Sequence, residues 1–274
     1  MIPDRGRNAD RRRTRRRAAG SAALLLALAL APAQAPAKTK PAPAQQVWDV
    51  QYSAPITLSR NVVYLDLDPD NHSAAQIAAL VAGGVTPICY VSVGTVENYR
   101  ADKGAFPPSV VGKVYGDWPD EKFLDIRRRD ILIPIMRARF QRCADLGFKA
   151  IDPDNVDAYQ NDSGFPLTEA DTLAYMRALA DEAHALGLTI GQKNVPDLTP
   201  KLVDRFDFAV VESCHKQGWC GRMLPYAAAG KPVLAIEYKD QNPRFKEACA
   251  WGKANGVAFI LKKRALNSWV KTCP

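Results

Sequence analysis

Residues 62 to 92 read VVYLDLDPDNHSAAQIAALVAGGVTPICYVS, in which a stretch of helical period separates two apolar runs. The β-branched and apolar residues from Val62 to Asp66 predict a strand. Ser73 is placed to cap a helix that stops at Gly83-Gly84. The run from Thr86 to Ser92 predicts the next strand. A strand, a helix and a second strand in this order are typical of a parallel sheet.

The same alternation continues along the rest of the chain. Helices are predicted at 130–146, at 168–185 with Thr168 as the N-cap, and at about 199–205, 222–229 and 242–255. Eight strands that alternate with helices favour a single-domain α/β fold, the (β/α)8 TIM barrel. No GxGxxG or GxxxxGK[ST] motif follows a predicted strand, which disfavours an open, doubly wound nucleotide-binding sheet. The other six strands are predicted at Phe123–Ile126, Ala150–Asp152, Thr189–Gln192, Phe208–Val211, Val233–Ile236 and Ala258–Leu261.

The amino-terminal residues are typical of a secretory signal. Residues 1–37 contain eight arginines, an apolar run at 18–31 and A-x-A sites at 33–37. The apolar run is shorter than the roughly 20 residues that a membrane-spanning helix needs, which favours a cleaved signal over an uncleaved anchor. We therefore expect a signal peptide at 1–37, a Pro/Ala linker at 38–46 and a folded domain at 47–274.

The net charge of +8 belongs mostly to this leader. From Lys38 onward the chain has 29 basic and 27 acidic residues, so the folded part is nearly neutral. This balance gives no electrostatic reason to expect a nucleic-acid partner. We expect a secreted, extracellular protein without stable membrane insertion, and a monomer.

All six cysteines follow the leader, so we expect disulfides in an oxidising compartment. Cys214 and Cys220 enclose a short loop and are the first predicted pair. A zinc site of these two cysteines with His215 is the alternative, but it lacks a second pair of ligands. The other predicted pairs are Cys249 with Cys273 and Cys89 with Cys143.

Acidic side chains follow most of the predicted strands. In a parallel barrel the carboxyl ends of the strands meet at one face, where chemistry occurs. A single carboxylate there could simply cap the next helix, but so many are better explained as a site. The polar residues at these ends are Asp66, Asp68, Glu97, Asp125, Asp152, Asp154, Asn155, Asp157, Lys193, Asn194, Glu212, Glu237 and Tyr238.

A ring of carboxylates with nearby aromatic residues is typical of glycoside hydrolysis. One carboxyl group protonates the leaving oxygen, the other acts as nucleophile or base, and sugar rings stack on aromatic side chains. With three histidines and no GxSxG or HExxH motif, a serine triad or a zinc peptidase has little support. The acidic run at 152–157 does not fit an EF-hand loop. The sequence predicts neither a metal site nor a cofactor.

Several segments together resemble glycoside hydrolase family 114, the endo-α-1,4-polygalactosaminidases on TIM-barrel scaffolds. Their order and spacing, over roughly residues 48–261, carry the resemblance. The segments are ICYVSVG at 88–94 with Glu97 and Tyr99-Arg100, WPDE at 118–121, LDIR at 124–127, DPDNVD at 152–157 with Tyr159, GQKN at 191–194, FDFAVVE at 206–212 with Cys214, and Gly230-Lys231 with Glu237-Tyr238.

The resemblance implies that Asp154 and Glu212 are the catalytic pair. This chain has Asp152 where the family often has Glu, and Ser213 where the family tends to have Gln. Either carboxylate is a candidate for the general acid, because local environment sets the order of the two pKa values. Retention or inversion depends on the distance between the two carboxyl groups.

The resemblance also implies a substrate of α-1,4-linked galactosamine, at least partly de-N-acetylated. A cationic polymer requires a groove of carboxylates, which the strand-end acids could supply. Lys193 and Asn194 would orient the carboxylates or the sugar hydroxyls, although Lys193 could equally serve to neutralise the acidic cluster. Tyr99 and Trp118 are further candidates for substrate contact, with Trp118 as the predicted exposed platform for a sugar ring.

Two other functions are alternatives to this hydrolase. The first is a non-catalytic polysaccharide-binding barrel, which the presence of both Asp154 and Glu212 disfavours. The second is a hydrolase of another amino-sugar polymer, which acetylated and de-N-acetylated substrates would distinguish.

Overall fold

The computed structural model describes residues 47–58 and 61–274. The predicted signal peptide at 1–37 and the predicted linker at 38–46 lie outside the described residues. The strands are β1 Trp48–Gln51, β2 Tyr64–Leu67, β3 Thr86–Ser92, β4 Thr95–Glu97, β5 Val111–Tyr115, β6 Trp118–Leu124, β7 Ala150–Asp154, β8 Thr189–Lys193, β9 Phe208–Glu212, β10 Val233–Tyr238, β11 Ala258–Lys262 and β12 Val270–Thr272.

Eight parallel strands form the barrel. In sheet order they are β1, β2, β3, β7, β8, β9, β10 and β11, and β12 adds an antiparallel strand beside β11. Side chains of the first and last parallel strands bring the two sides of the sheet together. The Trp48 indole N–H donates to the Ala258 carbonyl at 2.9 Å, and Lys262 forms an ion pair with Asp49 at 2.9 Å. The (β/α)8 barrel predicted from the sequence is thus confirmed.

One of the eight predicted barrel strands does not belong to the barrel. The segment Phe123–Ile126 was predicted as the third barrel strand, and this is wrong. Phe123 and Leu124 end β6, which pairs with β4 and β5 in a separate antiparallel sheet. The remaining place in the barrel belongs to β1, whose register with β2 pairs Trp48 with Tyr64 and Gln51 with Leu67.

Helices follow β2, β6, β7, β8, β9 and β10, so the antiparallel sheet of β4, β5 and β6 lies between β3 and α2 along the chain. Ser73 caps α1 in a capping box with Gln76, and Thr168 caps α3 in a capping box with Asp171, as the sequence patterns indicated. The helices are α1 Ala74–Ala82, α2 Arg129–Leu146, α3 Glu169–Ala185, α4 Thr199–Leu202, α5 Cys214–Gln217, α6 Leu224–Ala228 and α7 Phe245–Asn255.

The two-residue period of the strands decides which side chains enter the barrel. Buried apolar residues such as Tyr64, Ile88, Phe208 and Val210 form the interior core. Residues two positions further along the same strands continue this inward face toward the carboxyl ends. Residues between them, such as Val211, face the helices and join the outer core. The inward-facing side chains at the carboxyl ends of the strands therefore converge on one opening of the barrel.

Three disulfides join the predicted pairs. They are Cys89–Cys143, Cys214–Cys220 and Cys249–Cys273. The first links β3 to α2, and the third links α7 to the residue after β12. Because Cys214 and Cys220 are bonded to each other, the alternative zinc site with His215 is wrong.

In the part of the chain that the structure describes, no helix has both the length and the apolar character needed to cross a membrane.

Candidate active site

A cavity of about 400 Å³ opens at the carboxyl ends of the barrel strands. Side chains from the barrel, from the β4–β6–β5 sheet and from the segment after β11 line it. Ten predicted site residues are among them: Asp68, Tyr99, Trp118, Asp154, Asn155, Asp157, Lys193, Asn194, Glu212 and Tyr238. The structure therefore brings these ten residues together at the carboxyl ends of the barrel strands.

Asp154 and Lys193 form an ion pair on the floor of the cavity. Asp154 ends β7 and Lys193 ends β8, and both continue the inward face of their strands. The Lys193 Nζ lies 3.2 Å from Asp154 Oδ1 and 3.1 Å from Asp152 Oδ2. Burial alone lowers the pKa of Lys193, but the surrounding carboxylates outweigh it and place this pKa well above its usual value. Lys193 is therefore a fixed positive charge between two aspartates.

Glu212 lies at the end of β9, the strand next to the one that ends at Lys193. The Tyr238 hydroxyl donates a short hydrogen bond to Glu212 Oε1. The Asn194 side chain accepts from the Glu212 backbone N–H at 2.9 Å and donates to its Oε2 at 3.4 Å. Burial raises the pKa of Tyr238 well above its usual value, and Glu212 raises it further, so the hydroxyl keeps its proton for this bond. Both carboxyl oxygens of Glu212 are thus oriented, one by Asn194 directly after β8 and the other by Tyr238 at the end of β10.

Two asparagines shape the turns that follow β7 and β8. Asn155 and Asn194 adopt left-handed backbone conformations with φ of 63° and 45°. Asparagine tolerates this region better than most residues, which explains the residue type at both turns. The Asn155 amide then reaches Ser92 Oγ, Thr95 Oγ1 and Glu121 Oε2, each at 3.0 Å.

Asp66 and Asp152 lie beneath the cavity and do not line it. They are 1% and 0% exposed, and the Oδ1 atom of each is buried without a hydrogen-bond partner among the described residues. Burial raises the pKa of Asp66 well above its usual value, and the charge of Asp152 and a hydrogen bond to Asp152 raise it further. The raised pKa favours the protonated form of Asp66, which lies beside the carboxyl group that holds Lys193.

Arg100 organises the acidic wall near the cavity mouth. Its guanidinium donates to Asp68 at 2.7 Å and to Glu97 at 2.8 and 2.9 Å. The Tyr99 hydroxyl also donates to Glu97, at 2.7 Å. Glu97 lies behind this wall and is 1% exposed, whereas Tyr99 and Trp118 are 60% and 57% exposed at the mouth.

Two predicted site residues lie away from the cavity. Asp125 forms an ion pair with Arg127 at 2.7 Å near the start of α2, and this hydrogen bond lowers the pKa of Asp125. Glu237 is fully buried and accepts the backbone N–H of His215 at 2.9 Å. Its strand neighbours on either side, Ile236 and Tyr238, face the barrel interior, so Glu237 points toward α5.

Asp157 contributes a further carboxyl group to the cavity wall. Its Oδ2 accepts from the Asn161 amide at 3.2 Å, and its Oδ1 is buried without a partner among the described residues. Burial raises the pKa of Asp157, and the nearby charge of Asp154 adds to this.

Several other residues line the cavity beside the predicted ones. Tyr52 and Tyr90 form an aromatic pair with ring centroids 4.7 Å apart. Arg264 places its guanidinium over the Tyr238 ring, 3.7 Å from the centroid. Glu121 lines the cavity from β6, and its place in the WPDE segment at 118–121 was the available signal in the sequence.

A second cavity of about 550 Å³ adjoins the first. Glu212, Asp157, Asn194 and Arg264 line both cavities, so the two form one groove that continues past Glu212. Among residues 47–58 and 61–274, no group of three or more His, Cys, Asp or Glu side chains is arranged to hold a metal ion.

The chain is similar to known proteins in both sequence and structure. The model of glycoside-hydrolase family GH114 matches residues 29–274. The structure is similar to that of Ega3 from Aspergillus fumigatus in complex with galactosamine, with 34% identity, a TM-score of 0.79, and coverage of 86% of this chain and 98% of that chain. The glycoside hydrolase domain of PelA from Pseudomonas aeruginosa shares the fold at 18% identity and a TM-score of 0.66, over 82% of this chain and 98% of that one. An uncharacterised protein of Deinococcus radiodurans is 25% identical over 272 residues, which is 86% of each chain.

Proposed function

The chain belongs to glycoside-hydrolase family GH114, and we propose that it cleaves α-1,4-linked galactosamine polymers within the chain, with Asp154 and Glu212 as the catalytic pair. One observation carries this proposal. Both carboxyl groups line a single cavity at the carboxyl ends of the barrel strands, and each is oriented by its own set of neighbours. Glycoside hydrolysis needs two such carboxyl groups with different tasks.

The neighbours of the two groups suggest how the tasks are divided. The fixed charge of Lys193 lies 3.2 Å from Asp154, and an ion-paired carboxylate is the form that acts as nucleophile or base. Glu212 then takes the role of general acid. After Glu212 has given its proton to the leaving oxygen, the Tyr238 hydroxyl is placed to stabilise the carboxylate that remains.

A galactosamine unit fits the chemistry of the cavity wall. Carboxyl groups of Asp157 and Glu121 are available to a cationic sugar, and Asn194 can bond sugar hydroxyls. Tyr99 and Trp118 are exposed at the mouth, where their rings could stack on sugar rings. The galactosamine bound by Ega3, at 34% identity, supports the same substrate class for this chain.

The continuous groove supports cleavage within a polymer. An enzyme of this kind must bind sugar units on both sides of the broken bond. The second cavity continues the groove beyond Glu212 and provides room for units on that side.

We also propose that the protein is secreted as a monomer after removal of residues 1–37. The basic, apolar and A-x-A segments of the leader support export, and the three disulfides fit an oxidising compartment. Residues 38–46 would then link the new amino terminus to the hydrolase domain at 47–274.

The purified protein should be incubated with partially de-N-acetylated α-1,4-galactosaminogalactan and, separately, with its fully N-acetylated form and with chitosan. Mass spectrometry of the soluble products should show internal oligomers from the first polymer and far fewer from the other two. Release from chitosan alone would indicate a hydrolase of another amino-sugar polymer. Binding to the first polymer without any release would contradict the hydrolase and support a polysaccharide-binding protein.

A further inference from the structure

Glu121 is a nearly buried carboxyl group in the cavity wall that forms no ion pair with any described residue. It lines the cavity and is 8% exposed. Among the described residues, no lysine or arginine forms an ion pair with it within 4.0 Å, whereas Glu97, directly opposite on β4, is paired with Arg100 at 2.8 Å. Asp154 likewise has Lys193. Glu121 thus differs from Glu97 and Asp154 in forming no ion pair with a described lysine or arginine.

Two hydrogen bonds hold the Glu121 carboxyl group in place. The Thr95 hydroxyl donates to its Oε2 at 2.7 Å, and the Asn155 amide donates to the same oxygen at 3.0 Å. Thr95 is held in turn by Ser92, with 2.6 Å between the hydroxyl oxygens. Both bonds end on Oε2, so Oε1 takes no part in holding the carboxyl group.

The surroundings make this carboxyl group costly to ionise in the free protein. Burial raises the pKa of Glu121 to about 7, and the charges of Glu97 and Asp154 add to the effect, while the Thr95 hydrogen bond and the charge of Arg100 oppose it. A buried carboxylate without a partner is stabilised strongly when a cation arrives at hydrogen-bonding distance. An acetamido group carries no charge and cannot supply this stabilisation.

We propose that Glu121 recognises the free ammonium group of a galactosamine unit and thereby selects de-N-acetylated over N-acetylated units in the groove. The inference rests on the proposed function and assigns its specificity to one residue on the β4–β6–β5 sheet. Glu121 is a substrate-binding residue here, and the reacting carboxyl groups remain Asp154 and Glu212.

The test compares the parent with Glu121→Gln. The glutamine side-chain oxygen can still accept from Thr95 and Asn155, so the variant removes the charge and keeps the anchor. On the de-N-acetylated polymer we expect KM to rise at least about tenfold with kcat changed less than about threefold. Galactosamine should also lose its advantage over galactose as a ligand of the variant, measured by titration calorimetry. Glu247→Gln, on the exposed surface of α7, is the matched control and should behave as the parent.

The outcomes separate this inference from the proposed function. If the parent releases oligomers but Glu121→Gln has the same KM and the same preference for galactosamine, Glu121 does not recognise the ammonium. A fall in kcat with an unchanged KM would instead assign Glu121 a positioning role through Asn155 and would overturn the inference. If the parent releases nothing from the polymer, the proposed function itself is wrong.

Discussion

Asp66 has the residue type of a substrate contact but the surroundings of a core residue. It ends the inward face of β2 and is almost completely buried. Its contacts are the Tyr52 hydroxyl at 3.4 Å and the carboxyl group of Asp152. The raised pKa favours the protonated form of Asp66, the form that can donate to the carboxyl group that holds Lys193.

We expect Asp66→Asn to keep at least about a third of the parent kcat/KM, because an amide can replace a protonated carboxyl group as donor. Asp66→Leu removes the donor and should lower kcat/KM by at least about tenfold. Initial rates on the de-N-acetylated polymer measure both. A loss of activity in Asp66→Asn as large as in Asp66→Leu would mean that Asp66 acts as an anion.

The ionisation of Glu121 also links stability to pH. Its pKa is about 7 in the folded protein and near 4.5 when unfolded, so the folded state binds the proton more tightly. The stability that this proton contributes is fully present below pH 4.5 and is lost as the pH rises to about 7.

Glu121→Gln cannot show this loss, since glutamine does not titrate. We therefore expect the free energy of unfolding of Glu121→Gln, relative to the parent, to increase between pH 4.5 and pH 7. Urea unfolding followed by circular dichroism measures the difference, with Glu247→Gln as the control. A difference that stays constant over this range would contradict the raised pKa.

At the scale of elements, the connection between β3 and β4 approaches the backbone after β7 very closely. A Cβ atom at Gly94 would lie 1.6 Å from the Asn155 carbonyl oxygen. The backbone N–H groups of Val93 and Gly94 both donate to the Asp154 carbonyl, at 3.0 and 3.3 Å. Only glycine fits here, and the contact fixes the backbone that carries Asp154.

Gly94→Ala should therefore lower the free energy of unfolding by about 2 kcal/mol or more and reduce activity in addition. The matched control is Gly104→Ala, where an added Cβ meets no atom within 4 Å and the backbone is not left-handed. Chemical denaturation and initial rates measure the two effects. Equal behaviour of the two alanine variants would refute the close contact.

The elements also show which parts of the fold the sequence could predict. Seven barrel strands have clear apolar runs between helices, and the predictions for them are confirmed. In β1, the buried polar residues Asp49 and Gln51 interrupt the apolar run and conceal the strand. The segment 123–126 has an apolar run, but its partners β4 and β5 are antiparallel, and pairing partners are not encoded in a local pattern.

The same reasoning applies to the site. Asp154, Lys193 and Glu212 were predicted to lie close together because the carboxyl ends of parallel strands converge, and all three line one cavity. Asp125 was misplaced together with its strand. Glu237 could have been excluded by the period of two, since Ile236 and Tyr238 occupy the inward positions. Glu121 belongs to the inserted sheet, so a search limited to barrel strand ends could not find it.

For the whole molecule, two disulfides connect elements that are distant in sequence. Cys89–Cys143 spans 54 residues and Cys249–Cys273 spans 24. Closing loops of this length restricts the unfolded chain. Replacing Cys249 and Cys273 together by serine should lower the free energy of unfolding by about 2–4 kcal/mol. Guanidinium unfolding of the oxidised proteins measures this, and a change below about 1 kcal/mol would contradict a stabilising role.

The central claim is that one barrel opening holds two carboxyl groups with different catalytic tasks. The most direct measurement is kcat on the de-N-acetylated polymer for Asp154→Asn and Glu212→Gln, beside the exposed controls Asp181→Asn and Glu247→Gln. We expect each cavity variant to lose at least about 100-fold in kcat, with thermal unfolding and polymer binding close to those of the parent. A folded, polymer-binding Asp154→Asn or Glu212→Gln that keeps more than about a tenth of the parent kcat would contradict the account.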